Sequence, residues 1–227
     1  MEKLFTDDEL KKIRHDNFDL KSLRKNGKQI IGCSFYKDGI GYVLNAYVVK
    51  CDVYNPFNSN KEHLFIESNI KLNKGNLEDT VNETRKYLVN KNRIAIDSKG
   101  LGYGAIEILK KDYIADSGKI YYGNLPMRVD VKGHGCIMQS IFSFDLTSNL
   151  INEAAISLRE LIKEDRFHVD EEIYNDVLKE LSLLEYKTNS NGTIHLIRNN
   201  DTNYLDNIIL VCLLNEHMKV IDNEKND

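Results

Sequence analysis

The chain has 227 residues, 29% of them charged and 41% hydrophobic, and carries a net charge of −4. That is the balance of an ordinary soluble globular protein, long enough for one domain or one domain plus a small appendage. The negative charge excludes an indiscriminate polyanion binder, although a local basic surface would still neutralise phosphates. No apolar run approaches membrane-spanning length and the N-terminus lacks the apolar segment of a signal peptide, so a cytoplasmic chain is expected. Cys33, Cys51, Cys136 and Cys212 are scattered, with no CxxC pair. They read as reduced, mostly buried thiols, not as zinc ligands or a disulfide frame.

In chain order, Thr6-Asp7-Asp8-Glu9 has capping-box spacing ahead of Leu10, Ile13, Phe18 and Leu23. It predicts one or two short helices within residues 1–27, a lead-in or linker before the main fold. Lys28 to Tyr36 and Tyr42 to Asp52 are β-rich runs around an Asp38-Gly39 turn, which predicts a hairpin. A third strand is expected from about His63 to Leu72, and a helix from Leu77 to Asn90 with its acids at the front. Next comes RIAIDSKGLGYGAIEILKK, Arg93 to Lys111. Ile94, Ala95 and Ile96 suit a buried strand that ends in Asp97, and Ile106 and Leu109 suit the helix after it. A carboxylate at the C-terminal end of a central strand lies where open α/β sheets place their chemistry.

Three meandering strands, a crossover helix and a fourth strand parallel to the first make the opening of a ribonuclease H-like architecture. In that architecture acids gather where strands one and four lie side by side. A fifth short strand is expected at Lys119 to Tyr122, and helices at Asn149 to Lys163 and Glu171 to Leu184. Tyr186 to Lys187 and Thr193 to Ile197 flank Asn191-Gly192, a hairpin signal. Asp201 to Met218 reads as a helix with Leu205, Ile208, Ile209, Val211, Cys212 and Leu213 on its apolar face. The polar tail, residues 219–227, is expected to fray. The fold class is α/β, with a mixed five-stranded central sheet flanked by helices over residues 28–218 and an extra hairpin near the C-terminus.

The run Gly100-Leu101-Gly102-Tyr103-Gly104 matches neither a dinucleotide fingerprint nor a Walker A loop. Its glycines are expected to let a helix N-terminus approach a strand or a phosphate. Lys99 could touch that phosphate or simply be solvated. Lys110, Lys111, Arg128 and Lys132 could form a DNA track or an ordinary charged surface. His134 lies between two glycines and could orient a phosphate or a water, or be solvent-exposed; His195 and His217 read as structural. Asp201 reads as a helix cap with a reserve role as a ligand.

Three stretches, IIGCSF (Ile30 to Phe35), IAIDSKGLGYGAIEIL (Ile94 to Leu109) and NYLDNIILVCLL (Asn203 to Leu214), resemble the C-terminal nuclease domain of the large terminase subunit of tailed bacteriophages. LIKEDRFHV (Leu161 to Val169) resembles the segment before that family's β-hairpin. The resemblance runs from about Lys28 to His217 in the right order, and the order and spacing make it specific. It implies a metal-dependent endonuclease that cuts concatemeric viral DNA during packaging. Its partners would be double-stranded DNA, the terminase ATPase domain, the small terminase subunit and the portal, and no membrane. Two Mg²⁺ or Mn²⁺ ions are implied, held by Asp97 on strand four and Asp206 on the last helix, since hard cations prefer oxygen ligands. No Walker A loop is present, so the chain is expected to be an excised domain or a separately encoded nuclease.

The chain departs from the family where the first strand should carry an acid: Ser34 stands there, or Cys33 if the register slips by one. Asp38 could reach back to substitute, although four residues of extended chain span roughly 13 Å. Alternatively the domain is a weakened or inactive nuclease that still binds DNA, or the position was changed to silence it. A related resolvase-type nuclease is a third reading.

Overall fold

The computed structural model describes residues 2–15, 25, 27–49, 61–88, 93–121, 123, 140–188, 194–197 and 203–224. Strand β3 (Lys28–Tyr36) lies at its centre because both of its faces are apolar: Ile31, Cys33 and Phe35 enter one core, and Ile30 enters the other. Gly32, Ser34 and Tyr36 share the face of Ile30 by the two-residue period of a strand. A 3-10 turn at Lys37–Gly39 leads into β4 (Ile40–Val49), which pairs antiparallel with β3 from Lys28↔Val48 to Tyr36↔Ile40. Strand β5 (His63–Asn73) continues the antiparallel meander. Helix α2 (Leu77–Thr84), capped by the Asn76 side chain, then crosses to β6 (Arg93–Asp97). As the right-handed crossover rule anticipates, β6 lies parallel to β3, with Cys33 opposite Ile96.

Helix α3 (Leu101–Leu109) follows. The fifth strand is not at Lys119 to Tyr122. There, β8 (Ile120–Tyr121) only forms a two-stranded ribbon with β7 (Tyr113–Ile114), closed by a turn with Gly118 at φ +78°. The fifth strand is β9 (Ser140–Phe144), parallel to β6 with Phe144 opposite Asp97. SIFSF is short and two of its five residues are serine, so its period-two signal is weak. It is a strand because β6 offers a pairing edge.

After β9 come α4 (Ser148–Lys163), β10 (Phe167–Asp170), α5 (Glu171–Ser182), the antiparallel pair β11 (Glu185–Thr188) and β12 (Ile194–Ile197), and α6 (Asn203–Glu224). The mixed sheet expected from the sequence is present and extends to seven strands, in the order β2-β10-β5-β4-β3-β6-β9, with β2 at Arg14–His15. β10 was not anticipated: it pairs parallel with β5 on one side and β2 on the other. The turn Asn191-Gly192 and the residues after 224 lie outside the described residues.

Among the described residues, the N-terminus holds two short strands besides the expected helix. β1 (Glu2–Lys3) pairs with β11, α1 (Asp7–Lys11) carries the expected Thr6/Glu9 capping box, and β2 joins the central sheet. Leu4, Phe5, Leu10 and Ile13 are buried in the same core as α4, α5 and α6. Phe18 and Leu23 lie outside the described residues.

One core fills the sheet face under α4, α5 and α6; the other lies between the opposite face and α2 and α3. From Ile208 to Leu214, α6 is apolar on every side rather than along one stripe. Leu210 and Leu214 are buried along with the expected Leu205, Ile208, Ile209, Val211, Cys212 and Leu213. Such a helix belongs inside the molecule, and α6 packs across β3, β4 and β6 and between α4 and α5. Gly32 permits this: a Cβ there would stand 2.8 Å from the Asn207 carbonyl oxygen and 3.1 Å from Val211.

Candidate active site

Asp97 ends β6 next to the C-terminal half of β3. Because Cys33 faces Ile96 across the parallel pair, Ser34 and Asp97 are neighbours one step further on, on the face covered by α6. Two bonds orient the Asp97 carboxylate: Oδ1 accepts from the backbone N–H of Lys99 at 3.1 Å and of Leu146 at 3.4 Å. The turn after it is tight because Gly102 lets α3 start against the strand end; a Cβ there would fall 1.6 Å from the Asp97 carbonyl oxygen.

Asp206 reaches the same place from the first turn of α6. Its neighbour Asn207 lies over Gly32, and the Tyr36 hydroxyl donates to Asp206 Oδ2 at 2.8 Å. Asp206 therefore lies on the face of β3 that also carries Gly32, Ser34 and Tyr36. The start of α6 is held by α5. Glu180 accepts from the backbone N–H of Tyr204 at 3.0 Å and of Leu205 at 2.6 Å, satisfying donors a helix start leaves open. The Tyr204 hydroxyl donates to Asp176 at 2.9 Å, and burial together with that bond pushes its phenol up to about 12.

Ser34 is 5% exposed, and its hydroxyl oxygen has no hydrogen-bond partner among the described residues. A buried hydroxyl without a partner costs free energy unless something outside the protein completes it. Across the sheet its row continues through Tyr42 on β4 to Lys71 on β5, with the Lys71 ammonium 5.9 Å from the Tyr42 ring centre. Tyr42 meets Tyr36 edge-on, with ring centres 5.8 Å apart.

The structure thus brings Asp97, Asp206 and Ser34 to one face. It does not bring Asp38 there. Asp38 is on the exposed hairpin turn at φ +63°, and that turn is tied to α2 on the opposite side of the sheet through the Thr80 hydroxyl and the Gly39 carbonyl, 2.5 Å apart. Lys99 is engaged within the chain: its ammonium is 3.1 Å from Asp145 Oδ1 and donates to the Leu146 carbonyl at 2.7 Å. Lys110 and Lys111 follow the far end of α3, roughly 13 Å from its start at 1.5 Å per residue, and Lys110 pairs with Glu107. Arg128, Lys132, His134 and Asp201 lie outside the described residues, as does the His195 side chain. His217 packs edge-on against Phe142 and Phe144, a structural role. Sequence reading passed over Asp145, Tyr36 and Glu180. Asp145 had a usable signal, because SIFSFD repeats the strand-then-acid pattern of RIAID.

Among the described residues no three His, Cys, Asp or Glu side chains gather to hold a metal ion. Asp97, Asp206 and the open Ser34 hydroxyl instead offer two anionic oxygen ligands and one neutral one. That set fits one hard divalent cation of the Mg²⁺ type, which takes one or two carboxylates and leaves other positions to water and phosphate. It is short of what two adjacent ions would need.

An antiparallel meander followed by parallel strands, with an acid at the end of strand four, Ser34 beside it on strand one and a covering helix, is a ribonuclease H-like fold. Solved structures it is similar to include nuclease domains of phage large terminases. With the nuclease of thermophilic phage G20c bound to magnesium it shares 12% identity and a TM-score of 0.58, covering 94% of this chain and 96% of that one. With the P22 domain it shares 17% identity and a TM-score of 0.54, covering 94% and 92%. With a point mutant of the Sf6 nuclease domain, solved with manganese and β-thujaplicinol, it shares 10% identity and a TM-score of 0.53, covering 93% and 98%. At such identities the likeness is one of fold. No protein-family model matches the chain, and neither does any curated protein. No helix among the described residues is long and apolar enough to cross a membrane.

Proposed function

We propose that this chain is a divalent-metal-dependent DNA endonuclease, the cutting domain of a viral packaging terminase. The observation that carries the reading is that Asp97, Asp206 and Ser34, whose hydroxyl has no partner among the described residues, share one face of a fold also seen in terminase nucleases solved with magnesium and manganese. Asp97 and Asp206 would hold the ion, and Ser34 would add a neutral oxygen. When bound, the ion would polarise a phosphodiester oxygen and favour ionisation of a water at neutral pH. The protein supplies the rest by fixing geometry. Lys99 and Leu146 backbone N–H groups aim Asp97, Glu180 anchors the helix that carries Asp206, and Lys71, in the cross-strand row of Ser34 and Tyr42, would offer a positive charge for a phosphate. The implied partners are double-stranded DNA and the ATPase domain, small subunit and portal of a packaging motor.

Ser34 favours a second reading as well: a DNA-holding module whose cutting is weak or lost. An acid there would bring the full charge that a two-ion mechanism needs next to Asp97; a hydroxyl brings none. Plasmid nicking in Mn²⁺ decides between the readings. Cutting by the native chain that disappears with Asp97→Ala supports the enzyme. Cutting only by Ser34→Asp supports a silenced nuclease, and no cutting by any of them, with DNA retained, supports the holding module.

A further inference from the structure

The bond between Tyr36 and Asp206 joins two residues 170 positions apart in sequence, at the rim of the candidate site. We propose that Tyr36 is a positioning residue for metal binding: its hydroxyl fixes the rotation of the Asp206 carboxylate in the orientation that binds the cation. The inference rests on the metal-dependent reading above and assigns to it a residue that carries no charge and touches no substrate.

The chemistry is specific. An ionised carboxylate only accepts, with about four lone-pair directions over its two oxygens. A phenol that donates to Oδ2 fixes the plane of the carboxylate and with it the directions from which its oxygens can accept a cation. It also removes the freedom of the terminal carboxyl torsion, which is otherwise broad and nearly two-fold. A carboxylate that stands ready in its binding orientation spends less entropy on binding an ion. In a site with three acids, one loose ligand is tolerable. Here Ser34 replaces a charge, so two carboxylates carry the affinity, and the orientation of each weighs more.

The scaffold for this is already rigid. Tyr36 follows Ser34 by two residues on β3, so its ring stands on the acid-bearing face. Its ring is packed edge-on against Tyr42, itself 7% exposed, with centres 5.8 Å apart at 85°. Tyr36 is thus braced by its neighbour while its hydroxyl holds the acid. Asp97 has two backbone N–H donors for the same purpose. Tyr36 gives Asp206 a side-chain equivalent, and partners of this kind on ligating carboxylates are typically worth about 10- to 100-fold in metal affinity.

The test is Mn²⁺ titration of the full chain without DNA, followed by electron paramagnetic resonance, well below the melting temperature. Tyr36→Phe keeps the ring and its packing and removes the hydroxyl. It should raise the Mn²⁺ dissociation constant about 10-fold. In an Asp206→Asn background the same change should do nothing further, because the group it orients no longer binds as an anion. Tyr36→Phe that binds like the native chain overturns the proposal, as does a loss of equal size in the Asp206→Asn background. A lower melting temperature of the metal-free chain with an unchanged dissociation constant marks Tyr36 as merely structural, and also overturns it. If the native chain takes up no Mn²⁺ at millimolar concentration, the metal-dependent reading falls and this inference falls with it. If Tyr36→Phe itself does not fold, Tyr42→Leu, which removes the brace but leaves the hydroxyl, should still weaken Mn²⁺ binding; an unchanged constant counts against the proposal.

Discussion

At the scale of single residues, Ser34 decides more than any other side chain. It is where the resemblance to terminase nucleases breaks, and it is also the buried hydroxyl without a partner among the described residues. Replacing it with Asp would put a third carboxylate next to Asp97 and Asp206. Ser34→Asp is expected to tighten Mn²⁺ binding by at least 10-fold, since one more close opposite charge in a partly buried site is worth upwards of about 1.4 kcal/mol. It is also expected to destabilise the metal-free chain through like-charge repulsion. Calorimetric Mn²⁺ titration and thermal melts with and without metal check both halves. Asp97→Ala should lower metal uptake and reduce any nicking to background.

The two described thiols support a separate prediction. Cys33 and Cys212 are buried and free, as the scattered pattern implied, and burial pushes both up to about 12. Near pH 8 neither should react with a thiol reagent in the folded chain, and both should react after denaturation, with peptide mapping to tell them from Cys51 and Cys136, which lie outside the described residues. Fast native labelling of either would contradict their placement. The sign of the linkage is fixed too. Between about pH 9 and 12 an unfolded thiol ionises while the folded one stays protonated, so the unfolded state binds fewer protons and stability falls as pH rises.

Elements come next, and α6 is the one on which the site depends. It carries Asp206, and it can lie close to β3 only because position 32 has no side chain. Gly32→Ala would press a methyl into the backbone of Asn207. The expected cost is about 1–3 kcal/mol, accompanied by weaker Mn²⁺ binding as the first turn of α6 is displaced; a melt and a metal titration on one sample read both. On the opposite face Arg85 plays a comparable part for α3. It is 3% exposed and donates to the Ile108 carbonyl at 2.7 Å and the Lys111 carbonyl at 2.8 Å, closing the C-terminal end of that helix. Arg85→Ala would remove both bonds, leaving the Ile108 carbonyl with backbone donors alone, and is expected to cost roughly 2–3 kcal/mol, measurable by urea unfolding, with Mn²⁺ affinity unchanged because the acids lie on the other face.

For the molecule as a whole, the first fifteen residues are part of the fold. Leu4, Phe5, Leu10 and Ile13 are each at most 2% exposed, and burial of a side chain of that size contributes about 1.5–3 kcal/mol. Four of them together rival the net stability of a typical domain, about 5–15 kcal/mol. Deleting residues 1–15 should therefore yield an aggregating or unfolded chain, judged by circular dichroism and size exclusion. A well-folded truncated chain would return those residues to the role of a linker.

The meander, the parallel fourth strand and the acid ending it were legible because each depends on neighbours in sequence: an Asp38-Gly39 turn, a run of Ile and Ala, glycines before a helix. Asp206 was legible only through its resemblance to a family motif. β9, β10 and the N-terminal strands were not legible, because SIFSF, FHVD and two-residue strands have almost no pattern of their own. They become strands when an already built edge offers them hydrogen bonds. The sequence by itself determined which residues could bind a hard cation and which segments would turn, since local propensity and side-chain chemistry act over a few residues. Only the tertiary structure decided that Tyr36 would reach Asp206, that Asp97 and Ser34 would share the face α6 covers, and that Asp38 would sit on the far turn. Those contacts bridge up to 170 residues of sequence separation and depend on a buried helix crossing a strand at a glycine.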